Sequence, residues 1–141
     1  RFGDGAPVGT TLTAGHIERN TLQVCNTGDS RLYVVRNNRI IFRTTDQSVN
    51  AASEADSKNP LLLHALVSGC SVLISQNEVE LKPRDYILLM TDGIYKLIGD
   101  HQLLHLCSCC KSPEELAATV RAFVELKGAT DDYSFMVIAY T

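Results

Sequence analysis

Short runs rich in apolar and β-branched residues at 10–14, 22–25, 31–36 and 39–42 are separated by polar, turn-forming residues. Such runs between turn signals mark strands, so the first third of the chain is expected to form antiparallel β-structure. Asn37-Asn38, between the last two runs, tolerate the positive φ that a two-residue hairpin turn requires. Residues 45–59 carry Thr, Ser, Asp and Asn with few large apolar side chains, the pattern of a surface loop. Asn59-Pro60 has the form of a helix cap and first turn. Leu62, Leu63, Leu66 and Val67 follow at helical spacing up to Gly69, which predicts a short helix. Strands are then expected at 72–74 and 78–81. The strongly apolar run 86–90 reads as a central strand ending at Thr91-Asp92-Gly93.

Asp100 can cap a helix whose Leu103, Leu106, Cys107 and Cys110 make one apolar stripe. Ser112-Pro113-Glu114-Glu115 is a capping box, followed by Leu116, Val120, Phe123 and Val124 on one face and by Gly128 as the stop. An apolar run at 135–140 closes the chain directly after Thr130-Asp131-Asp132. Strands first, then two helices, then a returning strand argue for an α+β fold with an antiparallel sheet core. No repeat or low-complexity linker divides the sequence, so residues 1–141 are read as one domain.

Composition narrows the function. The 13 Lys and Arg against 16 Asp and Glu leave a formal net charge of −3, so no global basic field exists to hold nucleic acid or an anionic membrane. The apolar runs are far shorter than a membrane span needs. Five cysteines make an odd number for a secreted disulfide framework, and with no signal segment a reducing cytoplasm is the expected location.

Asp29, Asp92, Asp131 and Asp132 each sit beside an expected strand end, next to glycine or small residues. Hard divalent cations such as Mg²⁺ or Mn²⁺ select such carboxylate oxygens. Loop aspartates also satisfy turn and cap backbone groups, and spacing alone leaves both roles open.

Several segments in order resemble the metal-dependent serine/threonine protein phosphatases of type 2C, the PPM family. Gly9-Thr10-Thr11 is similar to its Gly-Thr-Thr strand start, and Asn26-Thr27-Gly28-Asp29-Ser30-Arg31 to its Gly-Asp-Ser-Arg hairpin. Thr45-Asp46-Gln47-Ser48 resembles a shortened Thr-x-Asp-His-Ser, with Gln47 in place of the usual histidine. The expected helix around residues 59–69 is similar to one in bacterial members. Leu88-Leu89-Met90-Thr91-Asp92-Gly93 matches the Leu-Leu-x-Ser/Thr-Asp-Gly segment, and Asp131-Asp132-Tyr133-Ser134 the Asp-Asn-x-Thr before the closing strand.

The resemblance implies an antiparallel β-sandwich flanked by helices, with a binuclear Mn²⁺ or Mg²⁺ centre at one rim. It implies Asp92 and Asp131 as ligands of a core metal, and Asp29 with Asp92 as ligands of a labile third metal. The implied reaction is hydrolysis of phosphoserine or phosphothreonine in a protein substrate by metal-activated water, without a covalent phosphoenzyme.

The departures shape the expectation. Family members carry a phosphate-binding arginine, an early aspartate and a metal-bridging Asp-Gly well upstream of Gly-Thr-Thr. Asp4-Gly5 resembles that Asp-Gly only superficially, because too few residues separate it from Gly9. The chain is therefore expected to be the C-terminal portion of such a phosphatase, weak or inactive alone, with self-association or a companion N-terminal fragment covering its open sheet edges. The alternative is a catalytically inactive phosphatase-like module for protein binding or regulation, and a weaker one is a plain structural domain.

The remaining motifs have plainer readings. His101, His105 and Cys109 share a helix face turned away from the apolar stripe, which reads as a solvated face rather than a zinc site. Arg19, Arg31, Arg36, Arg39 and Arg43 decorate successive strands and read as paired charges rather than as a phosphopeptide-attracting stripe. His64 reads as a packed or boundary residue rather than a general acid.

Overall fold

The computed structural model describes residues 9–49, 61–62, 65–67 and 71–141. The chain runs β1 (Gly9–Thr10), β2 (Leu12–Glu18), β3 (Thr21–Thr27), β4 (Arg31–Arg36), β5 (Arg39–Arg43), β6 (Ser48–Val49), β7 (Leu61–Leu62), β8 (Leu66–Val67), β9 (Ser75–Glu80) and β10 (Tyr86–Met90). Three helices follow, α1 (Asp92–Tyr95), α2 (Asp100–Cys109) and α3 (Pro113–Leu126), and β11 (Phe135–Ala139) closes the fold. Every pairing is antiparallel, in a four-stranded sheet β11-β10-β4-β5, a three-stranded sheet β2-β3-β9 and the short ladders β1·β8 and β6·β7.

The two larger sheets stack because β4 is buried on both faces. Leu32 and Val34 pack with Leu22, Val24, Leu81 and Ile87 between the sheets. Tyr33 and Val35 pack on the other face with Leu88, Leu103, Leu116, Val120 and Val124 under the helices. Burying each such aliphatic side chain is worth about 1.5–3 kcal/mol, so β4 and β10 anchor both cores at once. The expected α+β sandwich flanked by helices is what forms.

Local chemistry explains the elements that match expectation. Asn37 and Asn38 take φ of 49° and 60° in the β4–β5 hairpin turn. Ser112 Oγ accepts from the Glu115 N–H at 3.2 Å and so caps α3, while the Glu115 carboxylate reaches one residue past the cap to accept from the Lys111 N–H at 2.7 Å. Gly128 ends α3 at φ +74°.

Four expectations are corrected. The helix expected around residues 59–69 is not formed by its described residues: Leu61–Leu62 pairs with Ser48–Val49, and Leu66–Val67 with Gly9–Thr10. A short leucine-rich run satisfies either period, and ladder partners from remote segments decide it; Asn59, Pro60, His64 and Gly69 lie outside the described residues, as does Asp4-Gly5. Residues 72–74 are not a strand, and Leu73 and Ile74 are exposed; the strand starts at Ser75, where β3 offers its register. Asp100 does not cap α2, whose N-cap is Gly99, because its carboxylate is engaged by Tyr33 and Arg43. Gln47, in the expected surface loop, is buried.

Candidate metal centre

The antiparallel register builds the rim. Met90, the last residue of β10, pairs with Arg31 at the start of β4 on one side and with Phe135 at the start of β11 on the other. Asp92 therefore leaves β10 at the edge of the sheet where Asp29 enters β4 and Asp131 approaches β11. The Thr91 N–H donates to the Ser134 carbonyl at 3.2 Å, and the Ser134 N–H donates to Thr91 Oγ1 at 2.9 Å, which closes that edge. Gly93 is needed there: a Cβ on it would stand 2.6 Å from the Asp132 carbonyl oxygen.

Asp29 rides on a tightly held turn. Gly28 has φ +100°, and a Cβ on it would lie 2.4 Å from Thr11 Cγ2, so only glycine fits. Gln47 clamps the turn from behind. Its Oε1 accepts from the Gly28 N–H at 3.0 Å, its own N–H donates to the Gly28 carbonyl at 3.0 Å, and its Nε2 donates to Ser75 Oγ at 2.8 Å. Thr11 and Ser30 share a hydroxyl hydrogen bond of 2.9 Å, and Thr13 Oγ1 donates to the Ser30 carbonyl at 2.8 Å, which ties the Gly-Thr-Thr segment to the same turn.

Beside this turn lies a network from strand to helix. Arg31 grips Asp46 through Nε at 2.8 Å and a terminal nitrogen at 2.6 Å, and donates to the Tyr33 hydroxyl at 3.0 Å. Tyr33 donates to Asp100 at 3.1 Å, and Arg43 binds the other Asp100 oxygen at 2.8 Å. The Arg31 guanidinium also stacks 3.5 Å from the Tyr95 ring centre. Arg31, Arg36 and Arg43 are thus ion-paired, as the plainer reading of the arginines expected.

The electrostatics show which carboxylates feel one another. Burial pushes the Asp29 carboxyl upward, and the Asp92 charge adds to the rise; Lys96 and the Tyr95 hydroxyl oppose it. Lys96 Nζ donates to Asp92 Oδ2 at 2.7 Å, and this bond raises the lysine, with further help from the Asp92, Asp29 and Asp131 charges. Lys96 thus touches Asp92 and feels the charges of Asp29 and Asp131.

Asp132 contributes its N–H to Asp131 Oδ1 at 2.9 Å rather than a carboxylate to the rim network. The trio does not close into a ready cage: among the described residues no three His, Cys, Asp or Glu side chains are grouped as a metal ion requires. His101, His105 and Cys109 are exposed on α2, and Cys25, Cys107, Cys109 and Cys110 are free thiols. No described helix is long and apolar enough to cross a membrane.

Residues 5–141 match the family described as Stage II sporulation protein E (SpoIIE). The chain belongs to this family. This SpoIIE-family chain is 25% identical over 142 residues to the serine/threonine phosphatase stp of Listeria welshimeri, an alignment covering 93% of the chain and 56% of that protein. Among solved structures it is similar to the serine/threonine phosphatase PstP/Ppp of Mycobacterium tuberculosis, with a TM-score of 0.79 at 26% identity, covering 92% of this chain and 59% of that one. It is also similar to PppA of Pseudomonas aeruginosa, a regulatory component of T6SS, with a TM-score of 0.78 at 25% identity, covering 94% and 58%. A PstP catalytic domain in complex with two manganese ions superposes with a TM-score of 0.77 at 25% identity, covering 92% and 57%. The chain thus spans somewhat more than half the length of each of these relatives, and the resemblance to type 2C phosphatases holds across nearly all of it.

The donor chemistry of the rim fits a hard divalent cation. Its ligating atoms are carboxylate oxygens, and Asp29 is burdened by Asp92, a repulsion that a cation would relieve. Sequence reasoning named Asp29, Asp92 and Asp131 as candidate ligands and gave Lys96 and Gln47 no part beside them. Lys96 carried a visible signal, its i,i+4 spacing from Asp92. The one signal at Gln47 is that it stands where the resembled Thr-x-Asp-His-Ser segment has histidine, which leaves the turn it clamps unspecified.

Proposed function

We propose that the chain contributes the Asp29, Asp92 and Asp131 rim of a type 2C-like, metal-dependent phosphatase that hydrolyses phosphoserine or phosphothreonine in proteins. The observation that supports this most directly is the pairing of Met90 with both Arg31 and Phe135, which delivers the three carboxylates to one edge. In this reading Asp92 and Asp131 hold one cation, and Asp29 with Asp92 holds a further, labile one. Bound Mn²⁺ or Mg²⁺ supplies Lewis acidity that lowers the pKa of a water and offsets phosphate charge. Gln47 and Gly28 hold Asp29 in place, while Thr91, Ser134 and Gly93 fix the spacing between Asp92 and the 131–132 segment. Arg31, held by Asp46, Tyr33 and Tyr95, serves the fold rather than the phosphate. The chain acts on a phosphoprotein, in the cytoplasm, and is weak by itself. The comparisons offer no support for an inactive binding module.

The sheet edges support a companion segment or a second copy. Among the described residues β2 and β11 end their sheets, with Leu12 and Met136 about half exposed at 46% and 55%. A groove of about 430 Å³ runs between them, lined by Thr11, Thr13, Met90, Phe135 and Met136, and reaches Thr91 and Ser134 at the rim. Light scattering tests this, and a monomer with no companion fragment would contradict it.

For the reaction, the measurement is Mn²⁺-dependent phosphate release from a phosphothreonine peptide by this chain and by an upstream-extended version. Activity in the extended protein that falls by more than about 100-fold in Asp92→Ala is expected, since ligand loss exceeds the 10–100-fold typical of supporting residues. Activity that survives both Asp92→Ala and Asp131→Ala would refute the assignment.

A further inference from the structure

The proposed metal rim already contains a cation of its own. Lys96 follows Asp92 by one helical turn at the end of α1, where its backbone N–H donates to the Asp92 carbonyl at 3.1 Å. The next residues are anchored below, with the Leu97 and Ile98 N–H groups donating to the Ile94 carbonyl at 2.9 and 2.8 Å and Ile98 buried. This fixes the root of the lysine stem beside the acidic residues, and Nζ lies 2.7 Å from Asp92 Oδ2. The Lys96 side chain is 42% exposed and that of Asp92 28%, so the ammonium is placed at the rim yet free to swing outward.

Resting on the reading of this rim as a divalent-cation site, we propose that Lys96 is a tethered monovalent counter-ion that competes with the divalent cation for Asp92. Three considerations carry this. First, the ammonium already draws on the Asp92 charge through its N–H bond to Oδ2 at 2.7 Å, so the same carboxylate is a poorer donor to a divalent cation, which would take it as a direct ligand. Second, the two cations repel at this range, and water screens them only in part at a half-buried site. Third, the competition accounts for the open arrangement of the trio, because Asp92 is turned to an ammonium on its own helix rather than to Asp29 and Asp131. Cation entry therefore weakens the Nζ contact and drives the ammonium toward solvent, and that loss is subtracted from the affinity. The same ammonium steadies the fold without metal, offsetting part of the repulsion among Asp29, Asp92 and Asp131.

The test uses Mn²⁺ alone as the probe, titrated into the chain and followed by electron paramagnetic resonance, with thermal melting in EDTA and in excess Mn²⁺ alongside. Lys96→Met keeps the stem and removes the charge. It is expected to bind Mn²⁺ about 1.5- to 5-fold more tightly, the factor set by releasing one partly exposed ion pair, and to melt lower than the parent in EDTA but gain more on Mn²⁺ addition. Lys96→Arg keeps the charge and is expected to bind no more tightly than the parent. Should the parent bind Mn²⁺, lose it in Asp92→Ala, and match Lys96→Met in affinity, the competition is refuted while the metal reading stands. Should neither the parent nor Lys96→Met bind Mn²⁺, the metal reading fails and the competition with it.

Discussion

Gln47 offers the sharpest check on how the turn bearing Asp29 is held. Replacing it with alanine removes the acceptor for the buried Gly28 N–H and the donor to Ser75 Oγ, at 3.0 and 2.8 Å in the intact protein, together with a longer contact of 3.4 Å to the Asn26 carbonyl. The Gly28 N–H, left unsatisfied, costs about 1–3 kcal/mol, and the lost bond to Ser75 adds roughly 1 kcal/mol. A total of about 2–4 kcal/mol corresponds to a fall in Tm of roughly 6–15 °C for a domain of this size. Gln47→Met separates this from lost volume, since it fills the same space with nothing to hydrogen-bond, and it should cost nearly as much. The assay is urea denaturation followed by circular dichroism, with midpoints compared at unchanged slope. If both variants unfold within about 0.5 kcal/mol of the parent, the clamp is not what holds Gly28, and another donor-acceptor pair takes its place.

Two further outcomes follow from close packing and buried charge. Gly93→Ala forces a methyl against the Asp132 carbonyl oxygen, so α1 or the 131–132 segment must move; a loss of about 1–3 kcal/mol in urea denaturation and weaker Mn²⁺ binding are expected, and a neutral result in both would contradict the close approach. Asp85 is fully buried and accepts two bonds from Arg36, at 2.8 and 2.7 Å, and one from the Lys82 N–H at 2.8 Å. Burial alone would raise its carboxyl, but the Arg36 and Lys82 bonds outweigh that and leave it below the ordinary range. Its stabilisation is therefore present above the unfolded-state pKa of about 3.9 and is lost as pH falls through the lower folded value. Asp85→Asn should destabilise the protein at pH 7 and show a smaller further loss than the parent between pH 5 and pH 2, read from urea midpoints.

Legibility in the sequence followed the range of each interaction. The β-rich runs 31–36 and 86–90, the Asn37-Asn38 turn and the helix start at Ser112 are decided by neighbours a few residues away, and each formed where expected. The leucine-rich run near residues 61–67 was misread because its strands pair with segments as distant as Gly9–Thr10. Such partners leave no local mark. Asp100 illustrates the same limit: as a helix-starting aspartate it reads as a cap, yet Tyr33, 67 residues away, and Arg43 claim its oxygens. For the candidate site, each aspartate could be named from its strand end, but their meeting depends on β10 lying between β4 and β11, a matter of sheet order.

The protonation states at the rim make a final argument about where its chemistry must come from. Burial pushes the Tyr95 phenol far upward, with the charges of Asp29 and Asp46 adding to the rise, so at neutral pH it keeps its proton and cannot act as a base. Burial would lower the Arg31 guanidinium, but the Asp46 and Tyr33 bonds more than reverse this, and Lys96 is raised by its bond to Asp92. All three hold their protons more firmly than usual. Asp29 is moved toward neutrality by burial and by the Asp92 charge, and an added positive charge would relieve it directly. A rim of this kind is suited to holding cations and poorly suited to moving protons by itself. Activation of a water for attack on phosphorus would then fall to a cation held by Asp92 and Asp131. Asp29→Asn should accordingly weaken cation binding without creating or abolishing a titrating base near pH 7. A pH–rate profile of the extended enzyme that lost a limb near neutrality in this variant would overturn that division of labour.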